Sequence, residues 1–155
     1  MRYLNKIVFI NSAAIRYSEV QLDGNIHLIG TQGVGKSTIL RAILFFYNAD
    51  TQRLGIPVEK KSYQDYYFPY ADSSIIYEVA REDGWFTVLS YKTMNRICYR
   101  FIASPYRPDL FIDEEGAPYP SDRIRSVLDK NGIKYSGAIS TYEESVSYTH
   151  LRAHE

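Results

Sequence analysis

The stretch from Asn25 to Asn48 reads NIHLIGTQGVGKSTILRAILFFYN. Its middle, Gly30-Thr31-Gln32-Gly33-Val34-Gly35-Lys36-Ser37, fits G-x-x-x-x-G-K-[ST] at every fixed position. Glycines 30, 33 and 35 let the backbone curl so that successive N–H groups converge on phosphate oxygens. A helix starting near Gly35 adds the positive end of its dipole. In such a loop Lys36 bridges the β- and γ-phosphates, the Ser37 hydroxyl is a ligand for Mg²⁺, and Thr38 donates to the α-phosphate. The flanks agree with this reading. Asn25 to Ile29 is short and mostly apolar, as a buried parallel strand is. Ile39, Leu40, Ile43, Leu44 and Tyr47 recur at helical spacing, which predicts a helix over 35–48 packed on a sheet.

Upstream, Leu4 to Ile10 is apolar and β-branched and reads as a strand. A second short strand is expected at Glu19 to Leu22, followed by the hairpin signal Asp23-Gly24. Downstream, residues 48–72 are broken by Gly55, Pro57 and Pro69. Within them the cluster YQDYYFPY, residues 63–70, is too aromatic for a free linker and should pack down on something. Ser74 to Arg81, Trp85 to Lys92 and Arg96 to Ala103 read as three strands joined by Glu82-Asp83-Gly84 and Thr93-Met94-Asn95. Turns this short imply an antiparallel meander. Prolines 105, 108, 118 and 120 mark a loop. Ser121 is then expected to cap a helix, Asp122 to Lys130, that Asn131-Gly132 terminates. A short apolar piece, Ile133 to Ile139, leads to Ser140 and a possible helix start at TYEE.

Composition narrows the classes. The chain of 155 residues suits one domain, and 45% hydrophobic with 23% charged residues supports a packed core. Lys+Arg and Asp+Glu both number 18, so nucleic acid would have to be met by a local patch rather than an overall field. A single cysteine, Cys98, excludes an internal disulfide and suits a reducing compartment. No apolar run approaches the roughly 18–20 residues that span a bilayer, and the N-terminus lacks the long apolar core of a signal peptide.

The phosphate-loop motif alone is shared by kinases, GTPases, AAA proteins and transporters. Two strand-like segments before it and a meander after it discriminate further. KIVFINSAAIRYSEVQLDGNIHLIGTQGVGKSTILRAILFFYN, residues 6–48, resembles the N-terminal head segment of the SMC, Rad50 and RecF group of ABC-type ATPases. SSIIYEVAREDGWFTVLSY, residues 73–91, looks most like the bacterial condensin-like branch of Muk and Wadjet systems. The resemblance spans about residues 3–144. It implies an α/β fold, the N-terminal half-domain of a P-loop NTPase head carrying an antiparallel three-stranded meander. It also implies ATP and Mg²⁺ at Gly30, Thr31, Gln32, Gly33, Val34, Gly35, Lys36, Ser37 and Thr38, with the metal on Ser37. The implied partners are the C-terminal half of the same head, a second head in a dimer, and DNA, in the cytoplasm and not at a membrane. In that family the signature motif, the Walker B acidic pair and a switch histidine come from the far C-terminal end, so no catalytic residue is expected here. Two alternatives stay open. One is a RecF-like or anti-phage ATPase without long coils, and the other a nucleotide-binding scaffold that does not hydrolyse.

Several residues invite a functional reading and have a blander one. Leu110 to Glu115 superficially resembles a Walker B run, but only three apolar residues precede the acids and Gly116-Ala117-Pro118 follows, so a short hairpin is expected. The family's glutamine loop falls at Gly137 to Tyr142, where no glutamine stands; Ser140 or Thr141 could serve as the oxygen ligand, and Gln64, the other candidate, reads better as a solvated loop polar. Arg41, on the phosphate-loop helix, suits a surface or structural ion pair. Arg53, Lys60 and Lys61 form a cationic cluster near the aromatic run, read as a solvated loop with DNA contact as the alternative. Cys98 is expected in the core and Trp85 half buried in the meander.

The last residues, SVSYTHLRAHE from Ser145 to Glu155, have no helical or strand period. They resemble, codon by codon, a translated transposase adapter of sequencing libraries. On that reading native sequence occupies 1–144, residues 145–155 are a non-native tail, and His150 and His154 are not metal ligands despite their spacing. Deleting residues 145–155 is therefore expected to leave thermal stability unchanged. A loss above about 1 kcal/mol in a denaturation experiment would mark the tail as a genuine part of the fold.

Overall fold

Ten residues, Tyr3–Ser12, form the first strand, β1, and it pairs on both sides. The computed structural model describes residues 3–22, 36–46, 63–94 and 96–139. Its elements in chain order are β1, β2 (Ile15–Gln21), α1 (Lys36–Phe46), α2 (Tyr63–Tyr67), β3 (Ser74–Arg81), β4 (Gly84–Thr93), β5 (Arg96–Ile102), a 3₁₀ turn (Pro108–Leu110) and α3 (Ser121–Lys130). The strands make one sheet in the order β2-β1-β3-β4-β5, with every neighbouring pair antiparallel.

Side chains alternate between the two faces of each strand, and both faces are covered. On one face Ile7, Phe9, Ile75, Tyr77, Val88 and Phe101 pack with Ile39, Ala42 and Ile43 of α1 and with Tyr67 and Phe68. On the other, Val8, Ile10, Ile76, Leu89 and Ile102 pack with Leu110 and Phe111 of the proline-rich loop and with Ile124 and Leu128 of α3. The central strand β3 is therefore buried continuously from Ser74 to Ala80. The outer edge of β5 is partly paired as well. Tyr99 and Ile139 exchange two backbone bonds of 2.8 and 2.9 Å, and Ser136 N–H donates to the Phe101 carbonyl at 2.8 Å. This added segment shields an edge that would otherwise offer free donors and acceptors.

The three strands expected at 74–103 are present, and β3 turns into β4 through Glu82 and Asp83 with Arg81 opposite Gly84. The expected fold class is overturned. The described residues do not form an α/β P-loop half-domain with a separate three-stranded meander; they form an open five-stranded antiparallel sheet with few helices. The reason lies in β1 and β2. Their connection is a tight turn with Ser12 opposite Ile15, and Asn11 and Ala13 take left-handed backbone angles of φ 44° and 52°. Asn11 and Ser12 bound the first apolar run and Asn tolerates the left-handed region, but Ala13 does not favour it, and β2 begins at Ile15 rather than at the expected Glu19. β1 then pairs antiparallel with β3 and extends the meander by two strands.

Three smaller expectations are also corrected or completed. α3 starts at Ser121, and the preceding Pro120 makes no side-chain cap, so Ser121 is the first helical residue rather than the cap. Its C-terminus ends as Asn131-Gly132 foretells. Gly132 has φ 68°, its N–H donates to the Asp129 carbonyl at 3.1 Å, and Ile133 N–H donates to Leu128 at 3.0 Å, the pairing of a Schellman motif. Trp85, expected half buried, is 43% exposed at the start of β4. Cys98 is buried in β5 as expected, and burial pushes its thiol pKa up. The strand expected at 25–29, the cluster Arg53, Lys60 and Lys61, and Ser140, Thr141 and the tail all lie outside the described residues.

One acid sits inside this sheet. Glu78, in the middle of β3, is buried, and it accepts Asn5 Nδ2–H and the Tyr106 backbone N–H, each at 2.7 Å. The carboxylate thus joins β1, β3 and the loop after β5. Replacing Glu78 with Ala strands two buried donors and is expected to cost about 2–4 kcal/mol in chemical denaturation. A cost below about 1 kcal/mol would show that these bonds do not support the fold.

Candidate functional site

α1 carries the only part of the phosphate-loop motif that the structure describes. Gly30, Thr31, Gln32, Gly33, Val34 and Gly35 lie outside the described residues. Lys36, Ser37 and Thr38 form the first turn of α1, with Ser37 exposed and Thr38 half buried. The helix spans Lys36–Phe46, within the expected 35–48, and its Ile39–Ala42–Ile43 stripe is what binds it to the sheet.

Polar bonds fix it more narrowly than that apolar stripe does. The Tyr67 hydroxyl donates to the Thr38 carbonyl at 2.7 Å. One helical turn later, the Tyr77 hydroxyl donates to the Ala42 carbonyl at 3.1 Å. The Tyr66 hydroxyl lies 3.1 Å from Thr38 Oγ1. Tyr66 and Tyr67 meet edge to face with centroids 4.8 Å apart, and Phe46 lies 4.6 Å from the Tyr77 ring. Burial, and secondarily the neighbouring Tyr66, raises the Tyr67 pKa well above its ordinary value, with Arg41 pulling the other way. The phenol stays protonated and remains a donor. The aromatic run thus packs down as expected, but its hydroxyls were not foreseen as contacts of the phosphate-loop helix. Its density of tyrosine was the available signal.

The other candidates resolve as follows. Asp113 closes the short turn that replaces a Walker B reading: its Oδ1 accepts Glu115 N–H and Ala117 N–H, both at 2.9 Å, and its own N–H donates to Ala117 O at 2.9 Å. Gln64 is half buried on α2, beside the tyrosines. Arg41 is half buried on α1 and felt by Tyr67. Among the described residues no three His, Cys, Asp or Glu side chains gather as a metal-holding group. No described helix is long and apolar enough to cross a membrane.

A second polar cluster sits across the sheet. Tyr17 and Tyr106 hydroxyls are 2.8 Å apart, Tyr17 also donates to Glu19 Oε2 at 2.8 Å, and Lys6 Nζ reaches Glu19 Oε1 at 3.2 Å. Lys6 stands 5.6 Å over the Tyr106 ring. Burial pushes Tyr17 up to about 12, with the Glu19 charge adding and the Tyr106 bond opposing. Tyr106 is raised further, by burial first and then by its bond to Tyr17.

A model of the DUF3584 family, described as a protein of unknown function, matches residues 11–144. The chain belongs to this family. No curated protein and no solved structure matches it. The DUF3584 span takes in the phosphate-loop motif, the tyrosine contacts on α1 and the Asp113 turn, and it ends at Glu144, the residue before SVSYTHLRAHE.

The raised tyrosines give this DUF3584 chain an alkaline limit. A group whose folded pKa lies above its unfolded value contributes stability in full below the unfolded pKa and loses it as pH rises through the folded one. For Tyr17 that window runs from its ordinary value of 10.0 to about 12. Stability by denaturant titration is expected to decline across that window, and Tyr17→Phe to make the decline shallower. An unchanged slope in the variant would count against the Tyr17 contribution.

Proposed function

We propose that this DUF3584 chain binds Mg-ATP through Gly30 to Thr38. The observation that carries the reading is the complete eight-residue motif running straight into α1, a helix held on a sheet. Backbone N–H groups of the glycine-rich turn and the helix start cradle the phosphates. Lys36 supplies the point charge between β- and γ-phosphates. The donor chemistry suits Mg²⁺: Ser37 offers a hard hydroxyl oxygen, exposed on the first turn of α1, and Mg²⁺ takes such a ligand together with phosphate oxygens and water.

The resemblance to SMC-like heads supports a finer form of this reading. The chain is the N-terminal segment of an ATPase head in a cytoplasmic protein that organises chromosomes or defends against foreign DNA. Its ATP site is completed by the C-terminal half of that head and by a second head across a dimer, with DNA as the macromolecule it acts on. The residues here position phosphate and metal, and positioning alone does not orient an attacking water. Asp113 Oδ1 accepts two backbone N–H groups of its own turn, which gives that acid a structural role.

Calorimetric titration with Mg-ATP, run beside a phosphate-release assay, tests the proposal. Expected are measurable binding, loss of that binding in Lys36→Ala, and phosphate release at background. Undiminished binding by Lys36→Ala would overturn the assignment of the loop, and robust turnover would overturn the division of labour between head halves.

A further inference from the structure

The hydroxyl of Thr38 has a partner that its own helix does not supply. Here Thr38 Oγ1 meets the Tyr66 hydroxyl, from α2, at 3.1 Å. The next residue, Tyr67, is fully buried and holds the Thr38 carbonyl at 2.7 Å. Two adjacent phenols therefore grip one residue of α1, one by its side chain and one by its backbone. Their rings brace each other edge to face, with an interplanar angle of 77°.

A hydroxyl carries one proton and two lone pairs. If the phenol donates, Thr38 Oγ1 accepts with one lone pair and keeps its own proton. That proton sits on the first turn of a helix, where backbone donors are unpaired and the field favours an anion. We infer that Tyr66 is a positioning residue of the nucleotide site, its O–H donating to Thr38 Oγ1 so that the Thr38 proton is held for a phosphate oxygen. Tyr67 keeps the threonine at a fixed height on the sheet while this happens. The inference rests on the Mg-ATP reading above and adds to it a residue well outside the loop motif.

The test is a double-mutant cycle on the full chain: Tyr66→Phe, Thr38→Ala and the pair, with Thr38→Ser as the conservative variant. Mg-ATP affinity is measured by calorimetry and ligand-free stability by thermal melting. Tyr66→Phe removes one hydroxyl and is expected to weaken Mg-ATP binding about three- to tenfold. It should cause no further loss in the Thr38→Ala background, because the proton it organises is gone. Its effect should persist in the Thr38→Ser background, which retains the hydroxyl. Unchanged affinity in Tyr66→Phe, with or without a lower melting temperature, would reduce the contact to a structural one and overturn the inference. A full penalty for Tyr66→Phe on top of Thr38→Ala would overturn it equally. Lys36→Ala separates the two levels. If wild type binds, Lys36→Ala does not, and the cycle shows no coupling, only the role of Tyr66 fails. If wild type does not bind Mg-ATP, the reading of the loop fails and the role of Tyr66 falls with it.

Discussion

Burial of both faces of β3 is the constraint on which the rest of this structure depends. A strand in that position has no solvent to satisfy its polar groups, so every one must find a partner inside. The backbone does so through β1 and β4. The side chains do so one by one: Glu78 takes Asn5 and the Tyr106 N–H, and on β4 Ser90 donates to the Ile75 carbonyl and Thr87 to the Ser104 carbonyl, each at 2.7 Å. These bonds tie β3 to β1, to β4 and to the loop after β5. Covering the two faces then requires two separate layers, α1 with α2 on one side and the proline-rich loop with α3 on the other.

The same constraint explains what could be read in advance. Apolar, β-branched runs bounded by turn residues gave β1, β3, β4 and β5 within a few residues, and Asn131-Gly132 gave the end of α3. What failed was the sheet. Alternation of apolar and polar residues is the cue for which face a strand buries, and β3, SIIYEVAR, has lost that cue because it is buried on both. Its apolar run therefore gives no sign that β1 is its second neighbour. The β1–β2 turn at Asn11 to Ala14 lacks glycine and proline, and the left-handed angles it needs fall on Asn11 and Ala13. Pairing of β1 with β3 joins segments far apart in the chain, and no local pattern encodes it.

The candidate site divides along the same line. The phosphate-loop motif is contiguous, because the chemistry of a phosphate cradle is done by consecutive backbone N–H groups, and so it is legible. The hydroxyls that hold α1 come from α2 and β3 and are legible only as an excess of tyrosine. A tyrosine in a sequence announces bulk and a polar tip; which carbonyl the tip meets is decided by the packing of whole elements.

That division bears on how α1, the helix that begins the proposed nucleotide site, keeps its place. An apolar stripe such as Ile39–Ala42–Ile43 holds a helix on a sheet without fixing it exactly, since dispersion contacts are individually weak and change little over small displacements. Hydrogen bonds are directional and weaken steeply when misaligned. Tyr67 on the Thr38 carbonyl and Tyr77 on the Ala42 carbonyl sit one turn apart on the same side of α1, so together they resist both sliding along the axis and rotation about it. Phosphate positioning tolerates displacements of well under an ångström. Placement of the first turn of α1 is therefore decided by how the helix itself is held. In this chain that element is pegged by phenols at both of its first two turns.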